Sequence, residues 1–177
     1  MSLNRPAVKI ESVLNEDGDI THCTIAIGEV TLDAPFTEAS AELSERVMDA
    51  TDVELNVTEV MAVTRASRAQ LARELKRVED VLREMPAGTL AKLPGQELTC
   101  WVDQEAGELR WVQYETFDKK PSGLSPSTID CFGEIDTEEL WEVADACRRW
   151  LKDRLCVTVD PAWLAEPGKP VASPRMN

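Results

Sequence analysis

Histidine is almost absent from this 177-residue chain: His22 is the only one. That excludes histidine-rich metal sites and leaves a single imidazole for any Ser–His or Cys–His pairing. Long apolar runs are missing as well. None approaches the roughly 18 residues that a bilayer span requires, and the opening Met1-Ser-Leu-Asn-Arg-Pro6 lacks the apolar core of an export signal. The phosphate-binding, dinucleotide, nucleophile-elbow and zinc-helix patterns (G-x-x-x-x-G-K-[ST], G-x-G-x-x-G, G-x-S-x-G, H-E-x-x-H) do not occur. The five cysteines, Cys23, Cys100, Cys131, Cys147 and Cys156, are an odd set without C-x-x-C spacing. Neither a disulfide framework nor a cysteine–metal site is expected from them. Reduced, partly buried thiols in a cytoplasmic protein fit better.

Positive charge is scarce. Nineteen Lys and Arg stand against 33 Asp and Glu, a net charge of −14. This balance disfavours direct binding to nucleic acid or to an anionic membrane. The hydrophobic fraction of 43% and charged fraction of 29% are ordinary for a globular chain. A chain of this length can bury roughly 70% of its unfolded surface. One α+β domain is expected over 1–160, followed by a tail over 161–177 in which Pro161, Pro167, Pro170 and Pro174 oppose helix. Trp163 and Leu164 would pin the start of that tail.

The charge is uneven along the chain. Residues 1–60 hold 3 basic and 13 acidic side chains, residues 61–92 hold 7 and 4, and residues 93–177 hold 9 and 16. The sequence thus reads as an acidic body crossed by one basic segment.

Hydrophobic periodicity gives the elements. Alternation predicts a three-stranded antiparallel meander over about 7–14, 19–27 and 29–34, with Asp17-Gly18 as the first turn. Its second strand puts Thr21, Cys23, Ile25 and Ile27 on one face and His22 on the other. The period then becomes helical: Ala39, Leu43, Val47 and Ala50 follow Thr37, a candidate N-cap. Val53, Leu55 and Val57 read as a short strand or a linker. A long helix is predicted over 58–85, with Val60, Thr64, Ser67, Leu71, Leu75, Val78, Leu82 and Met85 within about 80° of arc. Arg65, Arg68, Arg73, Lys76, Arg77 and Arg83 take the other side, and Pro86-Ala-Gly88 ends the helix.

A second hairpin joins Leu98–Val102 to Leu109–Tyr114. Gly107 closes its turn, and the register sets Trp101 opposite Arg110 and Cys100 opposite Trp111. This Trp-bearing hairpin is available to extend the first sheet. Residues 118–135 read as loop. A last helix is expected after Asp136, burying Leu140, Val143, Ala144, Cys147 and Leu151 with Trp150 at the edge. Leu155 to Val159 would then form a final strand.

Several constellations fail as chemistry. Asn15-x-Asp17-x-Asp19 begins like a calcium loop, but Ile20 and Ala26 stand where Gly and Glu are required. Asp103, Asp118 and Lys120 resemble the PD-(D/E)-x-K nuclease pattern in spacing only, since Asp103 falls at a turn and Lys120 runs into Pro121. No catalytic residue, metal ligand or cofactor is assigned.

Two features suit binding. Glu38, Glu42, Glu45 and Asp49, with Asp52, fall within about 80° on the first helix. Trp101, Arg110 and Trp111 are the residue types of a protein-binding hot spot. The leading expectation is a small non-enzymatic protein that binds, and inhibits or adapts, a partner with a basic surface. The alternative is a nucleic-acid mimic of the kind mobile elements use against defence enzymes. That reading needs a second acidic row, for which Glu138, Glu139, Glu142 and Asp145 are the candidates, because one row repeating every 5.5 Å or so is too sparse to imitate a duplex. An enzyme with an unfamiliar site is the third reading.

Overall fold

A computed structural model describes residues 5–96, 98–113 and 137–158. The loop expected over 118–135, the Asp136 cap, Cys131, Tyr114, the Asp118–Lys120 pair and the tail from 161 lie outside these residues. The fold is α+β, with two compact units: Met1–Arg73 with Phe132–Ala144, and Glu74–Cys131 with Asp145–Asn177.

Unit 1 carries the expected meander. Strands β1 (Val8–Leu14), β2 (Ile20–Ile27) and β3 (Val30–Ala34) form one antiparallel sheet in the order β1-β2-β3. The first turn is tied by the Asn15 side chain, whose Oδ1 accepts from the Asp19 amide at 2.8 Å, and by Gly18 at φ +80°. The Asn-x-Asp-x-Asp run thus serves a hairpin turn. A register shift between Val13 and Leu14 ends the regular pairing of β1.

Alternation places Cys23, Ile25 and Ile27 in the core at 0–4% exposure. Against them pack Leu43 and Val47 of helix α1 (Ser40–Thr51), Phe36, Val53, Leu55, and Val63 and Ala66 of helix α2 (Val57–Arg83). Val53 and Leu55 are neither strand nor solvated linker; they are buried plugs between two helices. Trp141 packs on Phe36 with ring centroids 6.4 Å apart, a pair that chain distance hides.

Helix α1 starts later than Thr37 suggests. Its N-cap is Ala39, in an extended conformation and without a side-chain cap, and Ala50, expected in the stripe, is exposed. Helix α2 has the reciprocal cap instead. The Glu59 amide donates to Asn56 Oδ1 at 3.0 Å, and the Asn56 amide donates to Glu59 Oε2 at 2.8 Å. Arg5 adds bonds to both Glu59 oxygens and to the Glu54 carbonyl, tethering the start of the chain there.

Unit 2 contains a sheet of its own, so the Trp-bearing hairpin does not extend the first sheet. Strands β4 (Thr89–Lys92), β5 (Leu98–Asp103), β6 (Glu108–Gln113) and β7 (Cys156–Thr158) are ordered β6-β5-β4-β7. Strand β4 was not marked by alternation, because Thr89, Leu90 and Ala91 are all buried. The β5–β6 register is the expected one: Trp101 opposes Arg110, Cys100 opposes Trp111, and Gly107 turns the chain at φ +70°. Leu75, Val78 and Leu82 of α2 are 0–2% exposed, as the helical stripe requires. From helix α3 (Thr137–Asp153), Ala146, Cys147 and Trp150 are all at 0%. Trp150 is therefore central and not at the edge of the stripe. Its indole N–H donates to the Leu155 carbonyl just beyond the helix, which satisfies the polar end of a buried ring.

Candidate interaction surface

Helix α1 presents its acids because its apolar positions are consumed by the core. With Leu43 and Val47 at 3% and 0%, the opposite arc must face water. Glu42, Glu45 and Asp49 are exposed on that arc, and among the described residues no ion pair or hydrogen bond engages their carboxylates. Met48 sits beside them at 38% exposure. From Glu42 to Asp49 the row runs about 10 Å along the axis.

Glu38 does not belong to this row. It precedes the helix, and Arg46 binds it in a forked pair, Nε to Oε1 and Nη2 to Oε2, both at 2.7 Å. The same guanidinium reaches the Asp33 carbonyl at 2.5 Å. Arg46, the basic residue closest to the row in sequence, is thereby neutralised.

Most of the basic side of α2 is likewise engaged within the chain; Arg65 is exposed and makes no ion pair or hydrogen bond among the described residues. Arg73 donates to the Gly18 carbonyl, and Arg83 to Glu79 and the Gly107 carbonyl. Lys76 pairs with Glu79 at 3.3 Å and Asp80 at 2.9 Å. Arg77 lies 3.3 Å from Glu74. These cations hold turns and neighbouring acids.

The hairpin residues are placed differently from one another. Trp101 is buried at 5% exposure and packs in unit 2. Arg110 Nε lies 2.9 Å from Asp103 Oδ2, while Asp103 Oδ1 accepts from the amides of Glu105 and Ala106. Both residues therefore pin the turn. Trp111 is half-buried on β6. Of the candidate second acidic row, Glu139 and Glu142 are exposed, and Asp145 pairs with Arg149 at 3.0 Å. The Glu138 side chain lies outside the described set.

One cluster was not anticipated. Glu74 is fully buried, yet it receives Arg148 Nε at 3.2 Å and Arg77 Nη1 at 3.3 Å. Its signal was present in the sequence: Glu74 follows Ser67 by two turns and so borders the apolar arc. The nearby thiols are chemically quiet. Burial pushes Cys100 up to about 12. Burial, with Cys100 and Glu74 adding to it, raises Cys147 well above the usual thiol range. A nucleophilic cysteine needs the opposite shift. His22, on the outer face of β2, is half-exposed and 3.6 Å from Asp33. Among the described residues no three His, Cys, Asp or Glu side chains gather as metal ligands, and no helix is long and apolar enough to cross a membrane.

No family model matches the chain, and no curated protein or solved structure matches it.

Proposed function

We propose that unit 1 is a binding module whose acidic α1 face, Glu42, Glu45 and Asp49, engages a basic surface on a partner protein. One contrast supports this reading. Arg46 and, on α2, Arg73, Lys76, Arg77 and Arg83 have partners inside the chain, whereas among the described residues these three exposed carboxylates have none. Solvated charge of one sign accelerates encounter with the opposite sign and is screened by salt. Met48, beside the row, adds an adaptable apolar contact. The outcome for the partner would be inhibition or adaptation.

The experiment is affinity capture from the source cell followed by association kinetics at two ionic strengths. Glu42→Lys with Glu45→Lys should slow association several-fold at low salt and much less at high salt, with folding unchanged. An unchanged, salt-insensitive rate would remove α1 from the interface.

A further inference from the structure

The unit 1 sheet has two unlike edges. Along β3 the Arg46 guanidinium occupies the Asp33 carbonyl and α1 packs alongside. Strand β1, by contrast, pairs only with β2 among the described residues. Its Val8 and Ile10 lie on the core face but are only half-buried, although their cross-strand neighbours Ile27 and Ile25 are 4% and 0% exposed. The open stretch is bounded by Pro6, which has no N–H to donate, and by the register shift between Val13 and Leu14. Ile10 is its midpoint.

We propose that β1 pairs antiparallel with β1 of a second copy, about a two-fold axis through Ile10, so that two unit 1 sheets become one. The sequence Lys9-Ile10-Glu11 selects this register. An axis at Ile10 sets Lys9 opposite Glu11 of the second copy, twice, on the outer face, and Ile10 opposite Ile10 on the core face. An axis at Lys9 or Glu11 would oppose like charges. An axis between residues would set Ile10 against Lys9 or Glu11 and turn apolar positions outward. Lys9 and Glu11 already lie 2.6 Å apart within one strand, both exposed, so each can join a four-charge cluster without being buried. A lysine on an edge strand ordinarily discourages pairing; a Lys-x-Glu triplet facing its own two-fold image encourages it. The net charge of −14 per copy opposes association, so pairing should tighten as salt rises toward about 0.15 M, where the Debye length falls to about 8 Å. This surface is independent of the α1 face.

The test uses the full chain in analytical ultracentrifugation at about 100 μM. The parent should form a dimer. Lys9→Glu should weaken it by roughly tenfold or more, and Lys9→Glu with Glu11→Lys should restore it, because the swap preserves complementarity. Circular dichroism checks that each variant folds. In a Cys156→Ser background, Ile10→Cys should cross-link under mild oxidant, since directly opposed residues have Cα atoms about 4.5–5.5 Å apart, within disulfide reach. Thr31→Cys on β3 should not. A parent that stays monomeric overturns the proposal. So does a dimer that is indifferent to Lys9→Glu, or one that the charge swap fails to restore.

Discussion

Removing the guanidinium of Arg148 should destabilise unit 2 more than neutralising the acid it binds. Glu74 has a side-chain exposure of 1%, whereas Arg148 and Arg77 keep 31% and 43%. Arg148→Met preserves bulk but takes one cation from a buried carboxylate that keeps Arg77, 3.3 Å from each oxygen. Breaking a buried pair outright costs about 3–5 kcal/mol. The retained Arg77 and the partial solvation of Arg148 reduce that to about 2 kcal/mol, near the value of one charge-assisted hydrogen bond. Glu74→Gln keeps shape and an acceptor, and it leaves two arginines that can turn to water, so it should cost only about 1 kcal/mol. The double variant should cost about 1 kcal/mol less than the sum of the two. Urea unfolding, followed by the fluorescence of the unit 2 tryptophans, measures all three. Glu74→Gln costing more than Arg148→Met, or strict additivity, would refute the view that the buried carboxylate is the vulnerable partner.

Leu75→Ala should cost about 2–5 kcal/mol in the same assay, because Leu75 is 2% exposed; a loss under about 0.5 kcal/mol would contradict its burial in the helical stripe. The Arg5 hydrogen bonds hold the Glu59 carboxyl below the usual carboxylate range. The tether therefore stabilises fully above about pH 4.3 and is lost as pH falls below that value. Arg5→Ala should flatten the acid limb of the thermal-stability profile, and an unchanged limb would contradict this. In a timed alkylation at pH 8 read by mass spectrometry, exposed Cys156 should label while Cys23, Cys100 and Cys147 stay protected until unfolding.

Much of this fold is legible in the sequence because local and tertiary preferences agree. The meander, the 58–85 helix and the β5–β6 register follow from alternation, helical period and one αL glycine. The failures share a cause. Strand β4 and residues Val53 and Leu55 are buried on more than one side, so they carry no amphipathic pattern for a local window to detect. Trp150 falls at the edge of the stripe on the helical wheel, which does not show the partner that lets the N–H of so large a ring be buried. The partner is the Leu155 carbonyl, outside the helix. Thr37 had cap chemistry, but the turn from Pro35 to Glu38 delays the helix to Ser40.

Charge was harder to read than hydrophobicity, for a physical reason. Period alone separates buried from exposed positions, but it does not show which exposed charges find partners. The arginines of α2 look like a continuous basic face. In the fold Arg73 and Arg83 bind the Gly18 and Gly107 carbonyls, and Arg77 and Arg83 pair with helical neighbours, which reduces the reach of these three toward an external anion, while Arg65 stays exposed. The same accounting removes Glu38 from the α1 row through Arg46, an i,i+8 pair that spans the helix start. A charge that holds a carbonyl or a forked salt bridge must break that contact before it can serve a partner. Glu42, Glu45 and Asp49 carry no such prior contact among the described residues. They can therefore meet a cation at the expense of hydration alone, which is why the proposed interface is placed on the acidic helix.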